Sequence, residues 1–177
     1  REGITSVSTD NYQGAVTATQ HLLDSGRKNI GHISGPLGWW EANERKHGWH
    51  DALTEAGFEV LDGHCAEGNW SSASGEKAIR ELFESFADMD AIFVANDQMA
   101  LSVLREAHRR GIQVPEQLAV VGFDNIAESA FFYPSLTTIS QDLQSLGEQA
   151  VQNIVEMIHA KQENRSMAAR AKFIQPS

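Results

Sequence analysis

Five apolar runs in the chain are each followed at once by polar or aromatic side chains. Asn29–Ser34 leads into Gly35-Pro36-Leu37-Gly38-Trp39-Trp40-Glu41, and Phe58–Ala66 into Glu67-Gly68-Asn69-Trp70-Ser71. Ala91–Ala95 leads into Asn96-Asp97-Gln98, Leu118–Phe123 into Asp124-Asn125, and Leu136–Ser140 into Gln141-Asp142. Two aromatic sites with a set of amides and carboxylates suit a saccharide. Asp, Asn and Gln form paired hydrogen bonds with neighbouring hydroxyls, and indole faces stack on the C–H faces of the ring. Phosphate recognition has no support, because no basic residue stands at those ends and no Gly-rich phosphate loop is present. Asp97 and Asp124 each have a second reading, as N-caps of the segments that follow. Trp70 has one too, as a half-buried packing aromatic.

Catalytic patterns are missing. There is no HExxH, no clustered His/Cys spacing for a metal and no G-x-S-x-G elbow, and the seven histidines are scattered. A glycosidase would need two carboxylates roughly 5 to 10 Å apart, and Glu41 and Asp124 are the pair on offer. Asp88 and Asp90 flank the amino side of Ala91–Ala95, away from the proposed cleft. The sequence therefore reads as a binding protein and not an enzyme, with no metal or cofactor.

The elements that must carry these residues alternate. Expected strands are Ile4–Val7, Asn29–Ser34, a weaker Phe58–Ala66, Ala91–Ala95, Leu118–Phe123, Leu136–Ser140 and Lys172–Ile174. Expected helices are Asn11–Asp24 behind an Asp10 cap, Glu41–Ala56, a Ser71- or Ser72-capped helix to about Ala87, Asp97–Arg110 and Asp142–Ala160. Gly26, Gly57 and Gly111 mark stops. In Asp97–Arg110, Leu101, Leu104 and His108 share a face. In the last helix Leu143, Leu146, Ala150, Ile154 and Ile158 recur at helical spacing. Residues 161–168 read as a polar linker. Alternating strands and helices with continuously apolar strands define an α/β fold, a parallel sheet with helices on both faces. Ligands of such sheets bind beyond the carboxyl ends of the strands, where the polar residues fall.

The chain has 177 residues, 41% hydrophobic and 21% charged, enough for a real core. No apolar run approaches the roughly 18 to 20 residues of a membrane helix. The net charge of −10 repels phosphate, so these residues are not expected to grip DNA themselves. The single cysteine, Cys65, excludes an internal disulfide framework and suits a reducing compartment. It reads as an inert thiol. Arg1 is not a natural start, so an N-terminal segment is expected to be absent. Asn69-Trp70-Ser71 and Asn164-Arg165-Ser166 fit the glycosylation pattern by chance.

Taken in order, "DNYQGA" (10–15), "HL" (21–22), "SGP" (34–36), "EGNWS" (67–71), "ANDQMAL" (95–101), "VP" (114–115), "VVGFDN" (120–125), "YPSLTTISQD" (133–142) and "LG" (146–147) resemble the lactose-repressor (LacI/GalR) family of transcriptional regulators. The resemblance covers essentially the whole chain. It implies a two-lobed effector core resembling periplasmic sugar-binding proteins, behind a helix-turn-helix headpiece. Residues 1–27 and 142–163 would be a partial N-terminal lobe. Residues 28–141 and 168–177 would be the C-terminal lobe. The headpiece and most of the N-terminal lobe would be missing.

The same resemblance implies a repressor that senses a small saccharide between its lobes, acts on operator DNA through the absent headpiece, dimerises or tetramerises, and works in the cytoplasm. Its effector contacts map onto Trp70, Asn96, Asp124 and Gln141, with Trp39 and Glu41 in the specificity loop. Asn43 stands where an arginine is common; Arg45, two residues on, reads rather as a structural ion pair. Asp10 and Gln13 begin a helix expected to face the cleft. Trp40 and Trp49 read as packing residues. Phe131, Phe132 and Tyr133 either pack under their own loop or cover a dimer interface, where Phe131 and Phe132 are placed. The other reading is a periplasmic sugar-binding protein of an uptake system.

Overall fold

The computed structural model describes residues 5–163 and 171–177. The chain divides into two compact units, Asn11–Ser140 and Arg1–Asp10 with Gln141–Ser177.

The larger unit is built on five parallel strands: β2 (Ile30–Ser34), β3 (Cys65–Glu67), β4 (Ala91–Val94), β5 (Ala119–Asp124) and β6 (Thr137–Ser140). Their order across the sheet is β3-β2-β4-β5-β6. Successive side chains point to opposite faces, so each strand feeds two cores. On one face Phe93, Val121, Phe123 and Ile139 meet Ala15, Ala18 and Leu22 of α1 (Asn11–Asp24), with Trp49 and Leu53 of α2 (Trp40–Glu55). On the other, Ile33, Ile92, Val94 and Val120 meet Ala78, Ile79 and Leu82 of α3 (Ser72–Ser85), with Met99, Val103 and Leu104 of α4 (Asp97–Arg109). Helices thus cover both faces, as the continuous apolar strands require.

All three stops act as the sequence implies, Gly111 following α4 at φ +70°. Gly26 ends α1 at φ +88° and Gly57 follows α2 at φ +85°, backbone conformations that a Cβ disfavours. The strand expected at 58–66 is shorter. Phe58 and Val60 pack against the α1–α2 core without strand pairing, residues 62–64 form a 3₁₀ turn, and only Cys65–Glu67 joins the sheet.

The smaller unit pairs β1 (Ser6–Thr9) in parallel with β7 (Ala171–Ile174), in the register Ser6↔Ala171, and carries α5 (Leu143–Gln162). Asp142 caps α5 by accepting from Ser145 N at 2.9 Å. Two expectations are corrected here. Residues 11–27 do not go with β1: α1 packs into the five-stranded unit, where Ala15, Ala18 and Leu22 are buried. The terminal strand does not extend the larger sheet, because its parallel partner is β1. Ile4 and residues 164–168 of the expected linker lie outside the described residues, as does the 164–166 glycosylation match.

Candidate functional site

The carboxyl ends of β2, β4 and β5 and the turn after β3 enclose an open recess of about 540 Å³, lined by Trp39, Glu41, Arg45, Trp70, Asn96, Gln98 and Asp124. Of the residues expected there, Trp39, Glu41, Trp70, Asn96 and Asp124 are brought together, all within the larger unit.

Trp70 sits at φ +73°, a strained conformation for a bulky side chain. Two contacts hold it. Asn96 Nδ2 donates to the Trp70 carbonyl at 3.0 Å. Its six-membered ring lies on Gly35, where any Cβ would come within 2.1 Å of Cη2. Gly35 thus fixes the indole by having no side chain. The Trp70 Nε1 is buried without a hydrogen-bond partner. Asp124 and Asn125 are also left-handed, at φ +113° and +53°. Backbone strain at two recess residues is the kind of outlier that marks a functional site.

The helix cap falls one residue earlier than expected. Asn96 caps α4, its Oδ1 accepting from Met99 N at 3.0 Å. Asn96 therefore lines the recess while both ends of its amide hold protein groups. Asp97 is fully buried and is neither cap nor wall. It accepts from Thr138 Oγ1 at 2.6 Å and from Ile126 N at 2.9 Å, tying β6 and the turn after Asp124 to the start of α4. Burial pushes its carboxyl pKa up, against those hydrogen bonds.

Asn43 is not a recess residue. Its Nδ2 donates to the carbonyls of Leu37 at 2.5 Å and Trp39 at 2.8 Å, clamping the loop that carries Trp39. Arg45 lines the recess instead. It stands two residues along α2, about 200° round the helix, buried and at the recess floor. Its Nε donates to Asn11 Oδ1 at 2.8 Å, Nη1 donates to the Ala95 carbonyl, and Nη1 stands 3.6 Å from Asp124 Oδ1. Its guanidinium carbon lies 3.7 Å from the Phe123 ring centre and 5.6 Å from that of Trp70. Burial lowers its pKa to about 10, with Asp124 and Glu41 opposing, so it stays cationic at neutral pH. It is both an ion-pair member and a recess wall.

Gln141 belongs to the smaller unit, where its Oε1 accepts from Thr9 Oγ1 at 2.8 Å. Neither Asp10 nor Gln13 lines the recess; Asn11, between them in sequence, reaches it through Arg45. Gln98 and Asn11 are the additions. Gln98 stood in the strand-end tripeptide all along, whereas a buried Asn in a helix's first turn gives no sequence signal. Asn69 Oδ1 accepts from Ser71 N and Oγ, so it shapes the Trp70 turn. Phe131 is 87% exposed and Tyr133 91%, but Phe132 packs against the α3–α4 core instead of sharing their surface.

A doubly covered parallel sheet with a polar, indole-walled recess at its carboxyl edge defines a periplasmic-binding-protein-like ligand-binding domain. The chain belongs to that family: the profile of the periplasmic binding protein-like domain matches residues 19–175. The relatives are transcriptional regulators of the lactose-repressor type. Catabolite control protein A of Priestia megaterium is 37% identical over 165 residues, 93% of this chain and 50% of its own length. The ribose operon repressor of Escherichia coli is 36% identical over 145 residues, 82% of this chain and 44% of its own. Among solved structures, the transcriptional regulator CelR–cellobiose complex superposes with a TM-score of 0.93 at 31% identity over 99% of this chain and 53% of that one. The Lac repressor bound to ONPG gives 0.88 at 29% identity, over 98% and 51%. The chain thus spans about half the length of the relatives it matches.

Proposed function

We propose that this chain is part of the effector-binding core of a transcriptional repressor, and that the recess takes a small saccharide. The observation that carries the reading is Trp70, an indole held in a strained backbone over Gly35 beside the Arg45–Asp124 pair. A rigid aromatic face next to fixed charged donors and acceptors matches a ring that is apolar on its faces and hydroxylated at its edge. Support also comes from relatives of the same family solved with cellobiose and with ONPG. The saccharide is bound and not turned over, in keeping with the transcriptional regulators this chain resembles.

In this reading the smaller unit is part of a second lobe and brings Gln141 to the ligand. A headpiece outside the chain contacts operator DNA, since a chain of net charge −10 does not. The protein works in the cytoplasm as a dimer through a surface that includes Phe131 and Tyr133, which are 87% and 91% exposed. The effector acts by binding one lobe arrangement more tightly than the other. Titration of the full-length protein with mono- and disaccharides, read by tryptophan fluorescence, tests the site. A saturable change with one saccharide, lost in Trp70→Ala, is expected. A folded protein that responds to none of them would overturn the saccharide reading.

A further inference from the structure

Trp39 is the feature that a one-ring effector leaves unexplained. Of the two tryptophans that line the recess, Trp70 lies on Gly35, but Trp39 is 57% exposed at the rim. Its position is fixed and not incidental. Its N–H donates to the Pro36 carbonyl at 2.9 Å, and its own carbonyl accepts both Asn43 N at 3.2 Å and Asn43 Nδ2 at 2.8 Å. A long indole is thus held out in water by a rigid loop at the start of α2. Its ring centre lies 6.2 Å from that of Trp70, with the planes at 66°.

Two indoles at that angle form a corner and not one platform. A pyranose flat on one presents its edge to the other and leaves that second face bare. Successive rings of a saccharide, twisted about their glycosidic bond, can each take a face. Polar groups are divided in the same way. Arg45 and Asp124 sit on the floor, with side chains 7% and 28% exposed, whereas Gln98 is an exposed residue of the rim. The recess volume of about 540 Å³ falls within the ~300–1,000 Å³ of small-molecule sites.

We infer that the effector is a disaccharide, one pyranose stacked on Trp70 over the Arg45–Asp124 floor and the next on Trp39 at the rim. This rests on the saccharide reading of the recess, and Trp39 becomes the residue that sets effector length. A Trp39 side chain so exposed can be removed without opening the core, so its loss reads on binding.

The test is calorimetric titration of the full-length protein with glucose, galactose, cellobiose, maltose and lactose, on the wild type, Trp39→Ala, Trp39→Phe and Trp70→Ala. One disaccharide is expected to bind at least tenfold more tightly than either of its monosaccharides. Trp39→Ala removes that margin, weakening the disaccharide at least tenfold more than the monosaccharide, Trp39→Phe restores part of it, and Trp70→Ala weakens both sizes. If a monosaccharide binds as tightly as every disaccharide, or if Trp39→Ala leaves the margin intact, the disaccharide inference fails while the saccharide site stands. If no sugar binds and the folded Trp70→Ala protein is indistinguishable from wild type, the saccharide reading itself fails and takes the inference with it.

Discussion

Helices α4 and α5 carry the same kind of apolar spacing and meet opposite fates. In α4, Met99, Ala100, Val103 and Ala107 are fully buried and Leu104 is 4% exposed, because the sheet and α3 cover that face. In α5, Leu143, Val151, Ile154, Val155, Met157 and Ile158 are 44–63% exposed, and Ala160 is its one buried residue among those described. Periodicity states which face a helix needs to bury; it does not supply the partner. The larger unit contains the partner for each of its helices. The smaller one offers α5 two strands, and a two-stranded sheet is marginal as a support.

The contrast can be broken most severely in the larger unit. Leu104→Ala leaves a cavity beneath α4 and is expected to cost about 2–5 kcal/mol, read as a lowered urea midpoint. An effect below about 1 kcal/mol would mean that the α3–α4 core is looser than its burial implies. Gly35→Ala comes next. Its Cβ would strike the rigid Trp70 ring, so a stability loss of about 1–3 kcal/mol is expected, together with at least a tenfold loss of saccharide affinity in the full-length protein. Unchanged binding there would detach Trp70 from the ligand.

A smaller effect tests the buried centre by pH. His32 is fully buried between Trp49 and Phe93, with ring centres 5.2 and 4.9 Å away, and its Nδ1 hydrogen-bonds the Phe93 carbonyl at 2.9 Å. Burial lowers its pKa to about 3, against the ordinary 6.5. The folded state keeps it neutral while the unfolded state takes up a proton, so its contribution is intact above pH 6.5 and is lost as pH falls toward 3. The slope is up to about 1.4 kcal/mol per pH unit. His32→Asn should be less stable at pH 8 and should lack that part of the slope. Equal slopes in both proteins would remove His32 as its source.

The smallest effect belongs to α5. Ile154→Ala in the 177-residue chain should change stability by less than about 0.5 kcal/mol. In the full-length protein it should cost about 2 kcal/mol or more if further sequence covers that face. Equal, small effects in both would show that α5 stays open to solvent.

The sequence made the sheet and most helices legible because each carries its own signal. Asn11–Asp24 stands within the bounds read for it, since Gly26 supplies the left-handed stop. Strand ends made the recess legible for the same reason: Trp39, Glu41, Trp70, Asn96 and Asp124 all follow apolar runs. What pattern does not carry is register to one residue and choice of partner. Whether Asn96 or Asp97 caps α4 depends on which side chain turns back to Met99 N, and whether residue 43 or 45 faces the recess depends on a rotation of about 200° along α2. The family resemblance places β7 with the larger unit, whereas its pairing with β1 is a long-range choice that alternation cannot encode.

A crystal structure of the full-length protein with the tightest-binding saccharide would show whether the Trp70 recess is the effector site. Density is expected for a pyranose stacked on the Trp70 indole, with hydroxyls on Arg45 and Asp124. Saccharide density anywhere else, such as the cavity lined by Leu104, His108 and Tyr133, with the Trp70 recess holding only solvent, would contradict it.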